Sequence, residues 1–530
     1  MSQADDENTH TEYTPLAIQL ADDFYLNHQS KDVQLLVACC LADILRIFAP
    51  EAPYREPAQI KTIFMFLIRQ LGGLRDPKDP AFKRYFYLLE NLAYVKSFNM
   101  CFDLEECTEI SVALFALMFK IVNDEHSGKV KNFMMDILCP LITEADAVPN
   151  ELLDEILQNI VDPLKTQRRN AYNLAKEIII RTSDTLEPYL QQFFNQVLIL
   201  GRADTRLTIT NRVYDLIYEL NHIRPAVLLA VLPQLEFKLK SPEESERMGS
   251  VSLLARMFSE KDSVLAVNHR QLWQAFLGRF NDISVGIRQK CVQYTMHFLL
   301  NHEELIDDMT ETLKMRQHDS EETVRYEVVI AIVSTTRKPG GFEIVSKSED
   351  LLNVVKERTL DKKFKIRKEA MSGLAMIYKR HLLTPNDVPE ATKKADKWIK
   401  DKILHGYYMP GMEDRLLVER LLNTCLVPYN LEPEDRMKKL FLLFASIDEN
   451  ASKAFIEIQK HQMNVRKAVN ELVGLHRLSQ SEDRDKTITM RIHTIAKHLP
   501  EPVKVKLKVI KYFSVCSFIF LSSKPHCLLK

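Results

Sequence analysis

The chain has 530 residues, of which 46% are hydrophobic and 27% are charged, and this composition excludes wholesale disorder. Its 71 basic and 72 acidic residues give a net charge of −1, which argues against a chain whose main task is to neutralise nucleic-acid phosphates. Glycine occurs 13 times, well below the usual share of about 7%, so few positions suit tight β-turns. An all-helical fold is therefore indicated.

The N-terminal residues 1–14 are predicted to be disordered, because Met1–Tyr13 is polar and acidic. This stretch also contains no apolar run that would act as a signal peptide. The nine cysteines include no C-x-x-C pair, and most lie in apolar helical runs. We interpret them as small buried side chains in a reducing compartment, the cytosol or the nucleus.

Helical periodicity is clear from residue 31 onward. The first strong stripe consists of Val33, Leu36, Val37, Cys40, Leu41, Ile44 and Phe48. Similar stripes recur along the chain, separated by short connections, and no Ser/Gly/Pro-rich linker divides them. Residues 15–502 are therefore predicted to form one continuous HEAT-repeat α-solenoid, with longer loops at Thr335–Asp350 and Leu383–Thr392.

The first strong helix stops at Ala49-Pro50-Glu51-Ala52-Pro53-Tyr54. The two prolines push Ala49 and Ala52 into extended geometry and remove two N–H donors. We expect a stiff segment that exposes carbonyl oxygens, a carboxylate and an aromatic ring, which would suit a short peptide with an aromatic residue and an arginine. An ordinary corner between helices is the competing interpretation.

A seven-residue motif occurs three times in the second half of the chain. Each copy begins with an aspartate and ends, after four variable residues and a β-branched residue, with an arginine: Asp282 and Arg288, Asp319 and Arg325, Asp361 and Arg367. The copies start 37 and 42 residues apart, a spacing typical of HEAT or armadillo repeats. We predict that each aspartate accepts a hydrogen bond from a helix start, and that each arginine pairs with the aspartate of the next repeat.

The third copy is rich in basic residues, namely Lys362, Lys363, Lys365, Arg367 and Lys368. A second basic group follows at Lys393, Lys394, Lys397, Lys400 and Lys402. Neighbouring repeats would bring the two groups together as a site for a polyanion, either an inositol polyphosphate or a nucleic-acid backbone. Solvated helix faces are an equally supported interpretation, because acidic residues are interspersed.

Residues 503–530 depart from the helical pattern. Val503–Val509 alternates apolar and basic residues, and Tyr512–Leu521 is an apolar run too short for a membrane span of about 20 residues. We interpret 503–530 as an aberrant or alternative C-terminal tail and expect it to be aggregation-prone.

Catalytic motifs are not found in the sequence. It contains no G-x-x-x-x-G-K-[ST], H-E-x-x-H or G-x-S-x-G pattern. His297 and His302 are five positions apart and do not share a helical face, so they are not predicted to hold a metal. We therefore predict that the protein is not an enzyme and requires no metal or cofactor.

Several segments resemble the cohesin-associated HEAT-repeat regulators named for precocious dissociation of sisters. The resemblance extends from Pro15 to about Pro502. It rests on Lys31–Ile44 with Ala49–Tyr54, and on Arg84–Ala93, Phe193–Leu198, Pro233–Lys240, Leu277–Asp282, Glu357–Lys363 and Arg367–Met371.

This resemblance implies a non-enzymatic regulator of sister-chromatid cohesion in the nucleus. Such proteins bind the kleisin subunit of cohesin, promote ring opening with Wapl, and maintain cohesion with sororin-like factors and the cohesin acetyltransferase. The family's docking motif for aromatic-and-arginine peptides of Wapl and sororin maps onto Ala49–Pro53, with Tyr54 beside it. The resemblance also implies binding of inositol hexakisphosphate, indirect association with chromatin and no membrane partner.

Family members normally carry a helical extension before the position of Pro15 and several hundred residues after that of Pro502. We therefore expect this chain to be an N-terminal portion or a short isoform, without the family's nuclear import signal. The alternative is a HEAT-type nuclear transport or adaptor scaffold, such as an importin-like carrier. Such a carrier should present acidic patches for basic cargo, and the sequence shows none that is prominent.

Overall fold

The computed structural model describes residues 7–49, 52–199, 212–383, 390–476 and 482–497. Within these ranges the backbone forms helices and short connections, and no residue is in a strand. The predicted all-α class is therefore confirmed for the described part of the chain. None of its helices combines the length and the apolar content that crossing a membrane requires.

Twenty-eight α-helices follow one another along these ranges. Helices α1 to α14 are Glu7–Leu20, Asp23–Leu26, Lys31–Phe48, Pro57–Leu71, Phe82–Tyr94, Cys107–Ile121, Gly128–Leu138, Pro140–Thr143, Asn150–Leu157, Leu164–Gln167, Arg169–Arg181, Ser183–Phe194, Val213–Ile223 and Leu232–Leu239. Helices α15 to α28 are Glu244–Ser259, Leu265–Asn268, Arg270–Leu277, Val285–Asn301, Ile306–Arg316, Glu322–Thr336, Gly341–Lys347, Glu349–Arg358, Phe364–Leu383, Glu390–His405, Met412–Leu421, Pro433–Ala445, Glu449–His476 and Glu482–Lys497.

The helices group into two compact units. The first comprises Met1–Met257 and His269–Phe276, and the second comprises Phe258–Asn268 and Leu277–Lys530. The sequence predicts one continuous solenoid because no linker interrupts it, and its composition does not mark this division.

In the first unit, α3, α5, α7 and α11 pack side by side as one row, and α4, α6 and α9 form a second row. In the second unit, α18, α20 and α23 form one row, and α19, α22 and α24 form the other. Helix α27 packs on α24, and α28 packs on α27. Two rows of stacked helices are the architecture of a HEAT-repeat solenoid, so the predicted architecture is confirmed.

The first stripe forms helix α3 as predicted, and its Val37 and Leu41 are buried. Ala38 is also buried although it lies outside the stripe, whereas Leu36 of the stripe is 50% exposed. Helix α3 contacts α1, α4 and α5, so neighbours cover more than one of its sides. Periodicity identified the helix, and these contacts decided which residues enter the core.

The prediction of disorder over 1–14 is wrong for residues 7–14, which belong to α1. This helix packs against α3, and its Ala17 is fully buried. The Tyr54 hydroxyl donates a hydrogen bond to the carbonyl oxygen of Ala17 at 3.3 Å. These tertiary contacts stabilise a segment whose polar composition alone favours disorder. Residues 1–6 and the predicted tail 503–530 lie outside the described residues.

The predicted loop at Thr335–Asp350 contains a helix, α21. The chain reverses at Gly340, whose φ of 73° lies in the left-handed region that glycine adopts without steric cost. At Gly341, a Cβ atom would collide with the Thr335 carbonyl oxygen. The two glycines thus permit a sharp turn from α20 into α21. The other predicted loop overlaps α24, which begins at Glu390, and residues 384–389 are not described.

Candidate functional site

The three repeat motifs build a ladder of buried ion pairs in the second unit. In each pair the guanidinium donates two hydrogen bonds to one carboxylate: Arg288 to Asp319 (2.8 and 2.9 Å), Arg325 to Asp361 (2.8 and 3.2 Å), and Arg367 to Asp414 (2.8 and 2.6 Å). The predicted link from each arginine to the next motif's aspartate is confirmed for the first two pairs. The third arginine, Arg367, pairs instead with Asp414, which lies outside the three motifs.

Asp414 lies in the first turn of α25, where the sequence around it does not repeat the motif. The available signal was the spacing: Asp414 follows Arg367 by 47 residues, close to one repeat length.

Each arginine also binds the backbone of its own motif. Arg367 Nη1 donates to the carbonyl oxygens of Asp361 at 2.7 Å and Lys362 at 3.1 Å. Each motif aspartate in turn accepts from the N–H group two residues later, as Asp319 does from Glu321 at 3.0 Å. The ladder therefore connects a helix start, an inter-helix corner and the neighbouring repeat.

The ladder lowers the pKa of two of its aspartates, Asp319 and Asp361. Burial by itself would raise the pKa of Asp319, but hydrogen bonds from Arg288 and Glu321 N–H and the charges of Arg288 and Arg316 outweigh it. The net pKa of Asp319 lies below its ordinary value of 3.8. The pKa of Asp361 is lowered in the same way, against burial, by Arg325, the Lys363 N–H and Arg358. Both carboxylates are thus held ionised.

The assignment of Arg367 to a polyanion site is wrong. This residue is 8% exposed, and its guanidinium is occupied by Asp414 and two carbonyl oxygens. An anion that displaced Asp414 from the guanidinium would leave a buried carboxylate without its counter-charge, which costs too much free energy for such a site. The position of Arg367 at the end of the third motif copy was the sequence signal for this pairing.

The other basic residues of that cluster lie at the surface. Lys362 and Lys368 are exposed, whereas Lys363 pairs with Glu322 at 2.6 Å. Lys365 Nζ lies 3.9 Å from the centroid of the Tyr326 ring. In the second basic group, Lys400 is 9% exposed and donates to Ser446 Oγ at 2.7 Å, so it is part of the packing.

The proline-rich segment begins where α3 ends. Ala49 has φ −52° and ψ 139°, the extended geometry predicted for a residue before proline. Ala52 and Pro53 are half-buried, and Pro50 and Glu51 lie outside the described residues. Tyr54 is 5% exposed, and burial raises its pKa above the ordinary value. The expectation of an exposed ring is therefore wrong, because Tyr54 anchors the segment on α1.

No group of three or more His, Cys, Asp or Glu side chains in the described ranges is placed to hold a metal ion. The seven cysteines in these ranges are free thiols. Burial raises the pKa of Cys139 to about 11, so this thiol is protonated at neutral pH. Cys101, Cys291 and Cys425 are buried as predicted, whereas Cys40 is exposed.

Comparison with known proteins gives matches along almost the whole chain. A family model described as sister chromatid cohesion protein PDS5 matches residues 1–517. Sister chromatid cohesion protein PDS5 homolog B-B of Xenopus laevis is 49% identical over 500 residues, which are 94% of this chain and 34% of that protein. PDS5 homolog A of Homo sapiens is 48% identical over 511 residues, which are 96% of this chain and 38% of that protein. The chain thus spans little more than a third of the length of these curated relatives.

A solved structure of the Pds5-Scc1 complex contains a chain with the same fold. Its TM-score to this protein is 0.74, over 97% of this chain and 79% of that chain, at 18% sequence identity. At that identity the likeness supports the HEAT-repeat architecture alone. The family model and these relatives confirm the resemblance seen in the sequence, and the chain belongs to the PDS5 family of sister chromatid cohesion proteins.

Proposed function

We propose that this chain is a non-enzymatic scaffold that regulates cohesin on chromatin by binding its kleisin subunit. The observation that carries the proposal is the match to the PDS5 family over residues 1–517. Stacked helices offer an extended surface along which a partner segment can lie, and the structural relative was solved with Scc1. In this role the chain acts in the nucleus, with Wapl in ring release and with sororin-like factors and the cohesin acetyltransferase in maintaining cohesion.

Binding of purified kleisin to the immobilised chain tests this proposal. We expect retention of kleisin and no retention of a classical basic import peptide. Retention of the import peptide without kleisin would favour a nuclear transport scaffold instead. Retention of neither would contradict kleisin binding by this part of a PDS5 protein.

We also propose that Ala49–Pro53 docks short peptides from Wapl and sororin-like factors that carry an aromatic residue and an arginine. Two described residues on either side of Pro50 and Glu51 support this proposal. Ala49 adopts extended geometry where α3 ends, and Tyr54 fixes the other end through its buried ring and its hydrogen bond to Ala17. A stiff segment loses little conformational freedom on binding, which favours affinity.

Glu51→Lys is expected to weaken binding of such a Wapl peptide by more than about 1 kcal/mol, because the carboxylate would accept a charge-assisted bond from the peptide arginine. Isothermal titration calorimetry measures the change. Glu56→Lys, the same charge reversal at an exposed position five residues later, is the matched control. Both variants should melt like the unaltered chain, and equal peptide affinity in the Glu51→Lys variant would contradict the assignment.

For inositol hexakisphosphate we propose a surface site on Lys362, Lys363, Lys365 and Lys368, without the buried Arg367. The support is that all four lysines are exposed and lie within seven residues of one another around the start of α23. The ligand should raise the melting temperature by mass action. Lys363→Glu should abolish that rise, and Lys338→Glu, at another exposed lysine of the same unit, should retain it. An equal rise in both variants would assign these lysines to a solvated face.

A further inference from the structure

Helix α26 in the second unit presents apolar side chains to solvent. Met437, Phe441 and Phe444 fall at i, i+4 and i+7, so they share one face of the helix. Their exposed fractions are 53%, 64% and 42%, and the neighbouring Leu442 is 69% exposed. Within α26 only Leu443 is buried. The described residues therefore leave most of the apolar surface of α26 uncovered.

Helix α26 is held in place near both of its ends. Towards its C-terminal end, the centroid of the Phe444 ring lies 5.7 Å from that of Phe455 in α27. Towards its N-terminal end, Arg436 Nη2 donates a hydrogen bond to Asn423 Oδ1 at 3.1 Å. These contacts fix the helix and leave Phe441 open to solvent. Contiguous exposed apolar side chains on a fixed helix are typical of a docking surface.

The chain that follows α28 starts within reach of this surface. Helix α28 runs back along α27, because Arg491 pairs with Glu471 at 2.9 Å and Ile495 shares an apolar cluster with Ala468. Phe455, which contacts α26, precedes Ala468 by 13 residues, or about 20 Å along a helix. Residues 498–511 span about 45 Å when fully extended. Their length is therefore sufficient to bring residue 512 to the exposed face of α26.

We propose that the apolar run Tyr512–Leu521 of the same chain, which lies outside the described residues, packs on this face of α26. The run contains four aromatic residues and no charged residue, so the match with Met437, Phe441 and Leu442 is apolar rather than electrostatic. Burial of apolar side chains from both segments supplies the free energy of the contact. Because the run is tethered to α28, its effective concentration at α26 is on the order of millimolar, and a small surface suffices.

A second copy of the chain fits this surface less well. Four side chains of one short helix offer much less than the about 800 Å² per partner that a standard interface between separate molecules buries. Packing on α26 would also cover a run that its sequence predicts to be aggregation-prone. This inference does not depend on the kleisin, Wapl or inositol hexakisphosphate proposals.

Hydrogen exchange of the full chain tests the inference. We expect the amides of 512–521 to be protected in the unaltered chain, and Phe441→Asp combined with Leu442→Asp should make their exchange at least about tenfold faster. Met376→Asp makes the same kind of change at a 52% exposed position of α23 and should leave this exchange unchanged. All three positions are exposed, so melting curves should show that both variants fold normally.

Photocrosslinking separates the two occupants. Chains carrying Phe441→benzoylphenylalanine are prepared with light and with heavy isotopes, mixed equally and illuminated. We expect position 441 to be joined to 512–521 in peptides that contain one isotope only, since both ends belong to one chain. Any of four results would overturn the proposal: unprotected 512–521 amides in the unaltered chain, a double variant that exchanges like it, no crosslink to 512–521, or crosslinks that mix the isotopes and so assign the face to a second copy.

Discussion

Replacing Arg367 by alanine will lower the free energy of unfolding of the second unit by about 3–5 kcal/mol, because a buried carboxylate is left without its counter-charge. The side chain of Asp414 is 1% exposed, and both of its oxygens accept from Arg367. The variant also removes the donor of two backbone carbonyl oxygens, those of Asp361 and Lys362. Urea denaturation followed by circular dichroism measures the loss, and hydrogen exchange should rise in α23 and α25.

Two matched variants separate this effect from a general sensitivity of α23. Lys368→Ala removes an exposed charge from the next position and should cost less than about 0.5 kcal/mol. Arg367→Met combined with Asp414→Leu removes both charges and should be more stable than Arg367→Ala, since no buried charge is left unpaired. An Arg367→Ala variant as stable as Lys368→Ala would contradict a structural role for the pair.

Asp319→Asn will destabilise the second unit by about 3 kcal/mol at neutral pH, and this difference from the unaltered chain will shrink in acid. The side chain of Asp319 is 2% exposed and receives Arg288 and Arg316, which the substitution leaves without a carboxylate. The folded-state pKa of Asp319 lies below its ordinary value of 3.8. Its contribution is therefore complete well above pH 3.8 and is lost as the pH falls through the lower folded-state value.

Denaturation curves of both proteins from pH 7 to about pH 2 measure this convergence. Asp350→Asn is the control, because Asp350 is half-exposed and lies 3.4 Å from Lys314 in a surface pair. That variant should lose less than about 1 kcal/mol at any pH. A difference for Asp319→Asn that stays constant across the whole pH range would show that the carboxylate's charge does not stabilise the fold.

Local signals account for the parts of the fold that were predicted correctly. The 3.6-residue stripes identified helix α3, and the motifs at Asp282, Asp319 and Asp361 each precede a helix by three residues. These signals are local because helix periodicity and the hydrogen bond from an aspartate to a nearby N–H involve residues close in the chain. The pairing of Arg288 and Arg325 with the next repeat was predictable too, since the repeat period makes neighbours in space regular in sequence.

The candidate sites were predicted less completely. The position of the proline-rich segment follows from its motif, but the burial of Tyr54 depends on α1. This helix was not predicted at its N-terminal end, because the residues there are polar. Arg367 and Lys368 are adjacent basic residues in the sequence, yet one is buried in an ion pair and the other is exposed. Packing against neighbouring helices decides which side chains of a helix are buried. Amino-acid composition does not show which ones these are.

The sequence by itself determined the all-α class, the repeat spacing and two ion pairs of the ladder, because these depend on patterns that repeat along the chain. It also determined membership of the PDS5 family, which depends on sequence similarity along the chain. Only the tertiary structure decided that Asp414 is the partner of Arg367 and that Tyr54 is an anchor. Each of these facts joins residues from separate segments of the chain. Packing between helices brings such residues together, and no local pattern in the sequence specifies which of them meet.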